Sequence, residues 1–227
     1  MLNNGTLMEA QIISCLNLKG GVGKSTIITN LASIFKEKKL RPILIDLDSQ
    51  QSIVKWYNQG NKSFGFPVFS IFLDQEPKEI YAIMKELSIK EKATHIFLDC
   101  PPQIAKETFI AALISDLVIV PITPSPFDLW AAEEAIQTIK NARKEKNSLT
   151  KPKVLLVPSK VFPNTVLGKS IKKSLKKYNE PIAPFISNRI ALPESIIAGM
   201  TIVQYAPNGP SHLEFINLFK CVKTHLR

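Results

Sequence analysis

Short runs of nearly unbroken apolar residues alternate along the chain with longer stretches in which apolar residues return every three or four positions. The runs are QIISCLN (11–17), RPILIDLD (41–48), FPVFSIF (66–72), HIFLDCPP (95–102), SDLVIVPI (115–122), PKVLLVPS (152–159) and EPIAPF (180–185). Runs of this length, apolar at successive positions, predict strands buried on both faces. Between them, STIITNLASIFKEKK (25–39) sets Ile28, Leu31 and Phe35 on one helical face. Gln50–Asn58, Pro126–Lys146 and Gly168–Tyr178 read as further helices. Repeated strand–helix–strand units predict an α/β fold, a mostly parallel twisted sheet with helices on both faces. Residues 1–8 read as a flexible N-terminal tail, with Met8 offering an alternative start, and 9–227 as a single domain. In such sheets ligands sit at the carboxyl ends of the strands.

Composition changes this picture little. The chain has 227 residues, 45% of them hydrophobic, enough for one well-buried core. No run reaches the ~18 apolar residues of a membrane span, and no secretory signal pattern opens the chain. Cys15, Cys100 and Cys221 are odd in number and widely spaced. They suit a reducing cytoplasm and neither a disulfide framework nor a zinc site. His95, His212 and His225 are scattered, so no second catalytic constellation is visible.

Charge changes it more. The net charge is +10, and its distribution is uneven: thirteen Lys/Arg and eleven Asp/Glu precede residue 114, and sixteen and eight follow. Lys146 to Asn179 contains nine lysines and no acid. In GKSIKKSLKKY, helical spacing turns Ile171, Leu175 and Tyr178 to the core and leaves Lys169, Lys172, Lys173, Lys176 and Lys177 on the open side. With no base-reading motif, such a face predicts binding to the phosphates of a polyanion without sequence preference. Arg189 is a further candidate for it. The alternative is a solvated, solubilising helix face.

The clearest chemistry lies in CLNLKGGVGKST (15–26), between a predicted strand and a predicted helix. Gly20, Gly21 and Gly23, with Val22 among them, let the backbone wrap an anion and aim N–H groups at it. The helix N-terminus at Lys24, Ser25 and Thr26 adds its dipole. Lys24 would reach the β/γ-phosphates of a nucleotide, and the Ser25 hydroxyl would ligate Mg²⁺. The usual pattern asks for a glycine where this chain has Leu18, and a second lysine, Lys19, opens the loop. Asp46 and Asp48 end the second strand and Asp99 the fourth. Acids at the ends of buried strands are costly without a cation or hydrogen-bond partner, and beside a phosphate loop they suggest a Mg²⁺ site. Alternatively, Asp46 and Asp99 cap the following helices, and Asp48 with Ser49 caps the helix over Gln50–Asn58.

KGGVGKST followed by the Asp46-Leu47-Asp48 pair resembles the deviant Walker A type of P-loop ATPase, the ParA/MinD group. Asp48-Ser49-Gln50-Gln51-Ser52 is similar to that family's D-P-Q-x-S, with Ser49 for proline. SDLVIVPITPSPFDLWAA (115–132) resembles the proline-rich segment of small ParF-like plasmid partition ATPases, and Trp56 sits where these often carry tryptophan. NRIALPESIIAGM resembles their R-x(4)-E-A-x(3)-G stretch, with Ser195 for alanine. The first strand begins near residue 11, leaving no helix-turn-helix extension before it.

The resemblance implies ATP and Mg²⁺ as ligands and an ATP-dependent homodimer. Lys19 would be the signature lysine that reaches the partner's nucleotide, and Asp48 would position the attacking water. Ser25, Asp46 and Asp99 would shape the magnesium site. The family's asparagine near adenine is replaced by Pro158-Ser159-Lys160, so backbone near Pro158 and Ser187–Arg189 is the candidate for that contact. The resemblance further implies slow ATP hydrolysis, stimulated by a ParB-like or ribbon-helix-helix adaptor. It implies binding to non-specific DNA in a cytoplasmic, nucleoid-associated protein, and partition of a plasmid or chromosome. The alternative keeps the ATPase and gives it a protein cargo, or a MinD-like place at the membrane without stable insertion. For the membrane reading, Phe215, Leu218, Phe219, Val222 and Leu226 form an apolar face in the C-terminal segment that could equally pack on the body.

Overall fold

The computed structural model describes residues 9–71, 76–102, 106–145 and 151–226. The expected tail (1–8), the first part of the lysine run (146–150) and Arg227 lie outside the described residues. Six strands form one sheet: β1 (Gln11–Cys15), β2 (Pro42–Asp46), β3 (Val68–Ser70), β4 (His95–Asp99), β5 (Leu117–Ile122) and β6 (Lys153–Pro158). Their order is β3-β2-β4-β1-β5-β6 and every pairing is parallel. The helices are α1 (Lys24–Glu37), α2 (Ser52–Gln59), α3 (Pro77–Lys90), α4 (Lys106–Ile114), α5 (Pro126–Lys144), α6 (Val166–Leu175), α7 (Ala191–Ile197), α8 (Ile202–Tyr205) and α9 (Pro210–His225). A 3-10 turn, Lys176–Tyr178, continues α6.

Strand periodicity divides the core. Ile12, Leu16, Ile43 and Ile45 face α3, α4, α5 and α6, where they meet Met84, Ile110, Ile136 and Ile171. Ile13, Cys15 and Leu44 face the other side, with Leu31, Phe35, Trp56, Phe215 and Leu218. Neighbouring residues of one strand thus enter opposite cores, as a period of two requires. Each fully buried Leu, Ile or Phe contributes roughly 1.5–3 kcal/mol, which commits both faces of the sheet to helices.

The segment 180–185 is not a strand. Pro181 and Pro184 have no N–H to give, and the chain pairs beside β6 as isolated parallel bridges, Leu156 with Ile182 and, beyond the strand, Val161 with Ser187. The Leu156 N–H donates to the Pro181 carbonyl and the Ala183 N–H to the Leu156 carbonyl.

The C-terminal helix packs on the body. Phe215, Leu218 and Val222 are fully buried, and the Phe219 ring meets Phe35 edge-on at 4.8 Å. Its apolar face is spent on the core, which removes the basis for a membrane-binding helix there. Among the described residues no helix is long and apolar enough to cross a membrane. The cysteines are free, with Cys15 and Cys100 buried.

Candidate functional site

The sheet brings the carboxyl ends of β1, β2 and β4 into one row, with Cys15 beside Asp99 and Asp99 beside Asp46. The strand order reverses direction at β1, so the glycine loop after β1 opens at the switch point where α/β sheets bind ligands. Gly21 and Gly23 have φ of 77° and 96°, a region that costs other residues steric strain. A side chain at Gly23 would also meet the Ser159 hydroxyl at 3.0 Å. That hydroxyl donates to the Val22 carbonyl at 2.8 Å and ties the loop to the end of β6. Gly20 and Gly21 are exposed, and α1 begins at Lys24. Lys24 is only 7% exposed, and its ammonium donates to the Lys19 carbonyl at 3.1 Å across the loop. Ser25 and Thr26 follow in the first turn of α1, half-buried.

The Ser25 hydroxyl donates to Asp99 Oδ2 at 2.6 Å. Asp99 Oδ1 is buried and, among the described residues, has no hydrogen-bond partner. Burial pushes the Asp99 carboxyl up to about 7, while the Ser25 hydroxyl pulls it down. An orphaned carboxylate oxygen beside a serine hydroxyl fits a Mg²⁺ ion held by Ser25, with Asp99 reached directly or through water.

Asp46 does something else. Its Oδ1 accepts the Asp48 N–H at 3.1 Å, and its Oδ2 accepts the Ile53 N–H at 2.9 Å and the Val54 N–H at 3.4 Å. Burial raises its carboxyl, and these three amides oppose the rise. Asp46 thus gives both carboxylate oxygens to backbone amides. Its place is to cap α2 and hold the turn that carries Asp48. Asp48 is half-buried and accepts the Gln50 N–H at 2.9 Å. It closes the turn before α2, while Gln51 (φ 52°) is the helix N-cap. The far end of α2 is held too, since the Trp56 indole N–H donates to the Met200 carbonyl at 3.2 Å. Gly60 lies so close to Gly199 that a side chain on either would strike backbone. This contact gives the glycine and tryptophan of the family-like segments a packing reason.

Both adenine candidates carry hydrogen bonds within the chain. Pro158 has no N–H, and its carbonyl accepts the Ile186 N–H at 2.8 Å. The Ser187 N–H and hydroxyl both donate to Glu214, at 2.9 and 2.7 Å. Arg189 is ion-paired to the same Glu214 at 3.1 Å, so its charge is matched within the chain.

Four residues, Asn17, Thr123, Asp128 and Ser159, were given no role by sequence reasoning. Asn17 donates to the Pro121 carbonyl at 2.7 Å and accepts the Lys19 N–H at 2.9 Å. Asp128, in the first turn of α5, pairs with the Lys19 ammonium and accepts the Thr123 hydroxyl. The fourth is Ser159. The signal for Asp128 was an acid just after a Pro-Ser-Pro helix start, in the proline-rich segment. A pocket of about 480 Å³ opens here, lined by Lys19, Gly20, Gly21, Asp128, Lys160 and Phe162 among others.

On α6 and the turn after it, Ile171, Leu175 and Tyr178 are buried and Lys169, Lys172, Lys173, Lys176 and Lys177 are exposed. Lys177 pairs with Glu133 at 3.3 Å and lies over the Tyr178 ring. Among the described residues, no ion pair involves the other four lysines.

Residues 13–202 match the model of the CobQ/CobB/MinD/ParA nucleotide binding domain. The chain is 26% identical to the "Maintenance of carboxysome distribution protein A" of Halothiobacillus neapolitanus, over 92% of this chain and 94% of that one. It is 25% identical to the "Chromosome-partitioning ATPase Soj" of Thermus thermophilus, over 87% and 89% respectively. Its fold superposes on the MinC:MinD cell division protein complex of Aquifex aeolicus with a TM-score of 0.78, at 16% identity and covering 95% of this chain and 96% of that one.

Proposed function

The chain belongs to the CobQ/CobB/MinD/ParA nucleotide-binding family, whose ParA/MinD members are ATPases, and from that premise we propose that it is a ParA-type positioning switch. ATP would join two copies into a dimer that binds DNA without sequence preference, and hydrolysis would release it. The observation that carries this reading is a pair of surfaces on one rigid sheet: a glycine loop with two lysines over an orphaned carboxylate oxygen, and an exposed lysine face on α6.

The residues have distinct tasks. The loop amides and Lys24 would cradle the phosphates, because oriented N–H groups and a nearly buried ammonium bind anions strongly. Ser25 with Asp99 would hold Mg²⁺, which when bound neutralises phosphate charge. Asp48, on the turn fixed by Asp46, would orient the attacking water. Lys19 would serve the nucleotide of the second chain, supplying positive charge only when two copies meet. Exposed apolar side chains around Lys19 support such a meeting: Phe162 and Leu167 line the same pocket. Phe127 and Trp130 stand edge to face at 5.5 Å beside Asp128 in the chain. A dimer carries two α6 faces, and two weak phosphate-binding faces on one rigid body gain affinity by avidity.

The cargo has two readings. DNA partition, through a ParB-like or ribbon-helix-helix adaptor that stimulates hydrolysis, follows from the family resemblance and the Thermus thermophilus relative. A protein assembly as cargo is favoured by the relative named for carboxysome distribution. Both use the same ATPase and the same DNA surface, in a nucleoid-associated protein.

The test is a mobility shift on duplex DNA of arbitrary sequence with ATP, with ADP and without nucleotide, across a salt series. Binding should require ATP and fall with salt at a log–log slope of roughly −0.9 per phosphate contact. Binding that ignores nucleotide, or that persists unchanged at high salt, would remove the DNA switch and leave an ATPase with another output.

A further inference from the structure

In the single chain, Lys19 is already occupied. Its N–H is held by Asn17 at 2.9 Å, its carbonyl accepts Lys24, and its ammonium pairs with Asp128. The Lys19 side chain is 42% exposed and the Asp128 side chain 5%. The pair is thus lopsided: a lysine able to swing into solvent, tied to a carboxylate that cannot follow. Asp128 is fixed from two sides, by its place in the first turn of α5 and by the Thr123 hydroxyl on its other oxygen.

We propose that Asp128 is a positioning residue that latches Lys19 in the resting single chain, so that dimer formation must first break the Lys19–Asp128 pair. The proposal rests on the reading of Lys19 as a group acting on the second chain's nucleotide. An ammonium cannot neutralise a partner's phosphates while it neutralises its own chain's carboxylate. Releasing it leaves a buried carboxylate with one hydroxyl donor in place of an ammonium and a hydroxyl, and uncompensated buried charge is costly. That cost opposes dimerisation until the nucleotide's negative charge outbids Asp128. The latch would keep encounters between nucleotide-free copies unproductive.

The latch predicts effects of opposite sign from two touching residues. Asp128→Asn keeps the shape and removes the charge, so Lys19 is freed. The protein concentration for half-dimerisation in ATP should fall about tenfold, the size of one moderately buried ion pair lost from the resting state. Thr123→Val removes the competing donor, leaves Asp128 more dependent on Lys19, and should raise that midpoint several-fold. General destabilisation cannot move the two in opposite directions. The measurement is sedimentation velocity with a slowly hydrolysed ATP analogue, with thermal melts as the folding control.

A double-mutant cycle completes the test, because the gain from Asp128→Asn must vanish in a Lys19→Ala background. A gain that survives there assigns Asp128 a role unrelated to Lys19 and overturns the latch. So does an unchanged or higher midpoint in a folded Asp128→Asn variant. If Lys19→Ala alone dimerises like wild type, the reading of Lys19 across the dimer falls, and the latch falls with it. If Lys19→Ala loses the dimer while Asp128→Asn changes nothing, only the latch falls.

Discussion

Lys24 and Lys172 are both lysines on helices of one sheet, and they live in opposite environments. Lys24 is nearly buried, reaches the Lys19 carbonyl, and sits in a loop where a side chain at Gly21 or Gly23 would be strained. Lys172 stands in solvent on a helix whose opposite face carries buried Ile171 and Leu175, and no acid among the described residues pairs with it. Around the loop, one displaced atom changes the chemistry. On α6, the proposed binding to DNA would depend on charge density. The loop should therefore respond to single substitutions in an all-or-none way, and the helix face in graded steps.

The largest effect belongs to Lys24→Ala. It removes the nearly buried ammonium that would face the phosphates and should weaken ATP binding on the order of 100-fold or more. Calorimetric titration checks it, and ATP affinity within a few-fold of wild type would erase the distinction between buried and exposed lysines.

Asp48→Ala comes next. ATP affinity should hold within a few-fold while hydrolysis falls on the order of 100-fold, the scale of losing a water-positioning group. The variant should then accumulate as an ATP-bound dimer in size-exclusion chromatography. Normal turnover would reduce Asp48 to the turn closure seen in its bond to Gln50.

The α6 face should respond more gently. Replacing Lys172 and Lys173 with Glu should lower ATP-dependent DNA affinity about tenfold or more and flatten the salt slope. Stability should change by less than ~0.5 kcal/mol, since both side chains are exposed. Lys177→Glu alone should matter less than Lys172→Glu, because Glu133 already shares its charge. Equal losses would mean that the ion pair does not persist in solution.

The smallest effect is a pH dependence. Asp99 has its carboxyl raised to about 7 in the folded chain, against 3.8 as the ordinary value. The folded state therefore binds the proton more tightly than the unfolded one. Stability from this group is full below about pH 4 and declines as pH rises through about 7, by at most ~1.4 kcal/mol per pH unit. His95, lowered to about 4 by burial, acts in the opposite sense between about 4 and 6.5, with stability rising as pH rises. The informative quantity is the difference between wild type and Asp99→Asn in denaturant titrations at pH 5 and 7.5 without nucleotide. Wild type should lose stability relative to the variant at the higher pH, and parallel curves would mean that Asp99 titrates near its ordinary range.

The sequence by itself determined the sheet, the phosphate loop and the charged helix. Each rests on local rules: unbroken apolar runs for the strands, glycines where φ must be positive, and a helical period that separates Ile171, Leu175 and Tyr178 from the lysines. Tertiary structure alone decided the rest, because pairing across distant segments leaves no periodic trace. Nothing local says that Asp46 turns its oxygens to Ile53 and Asp48, or that Glu214 takes both Ser187 and Arg189. Nothing local says that Asp128, more than a hundred residues away in the chain, would close on Lys19. A carboxylate at a strand end must find a partner or stay neutral, and only the folded chain shows which donors lie within hydrogen-bonding reach.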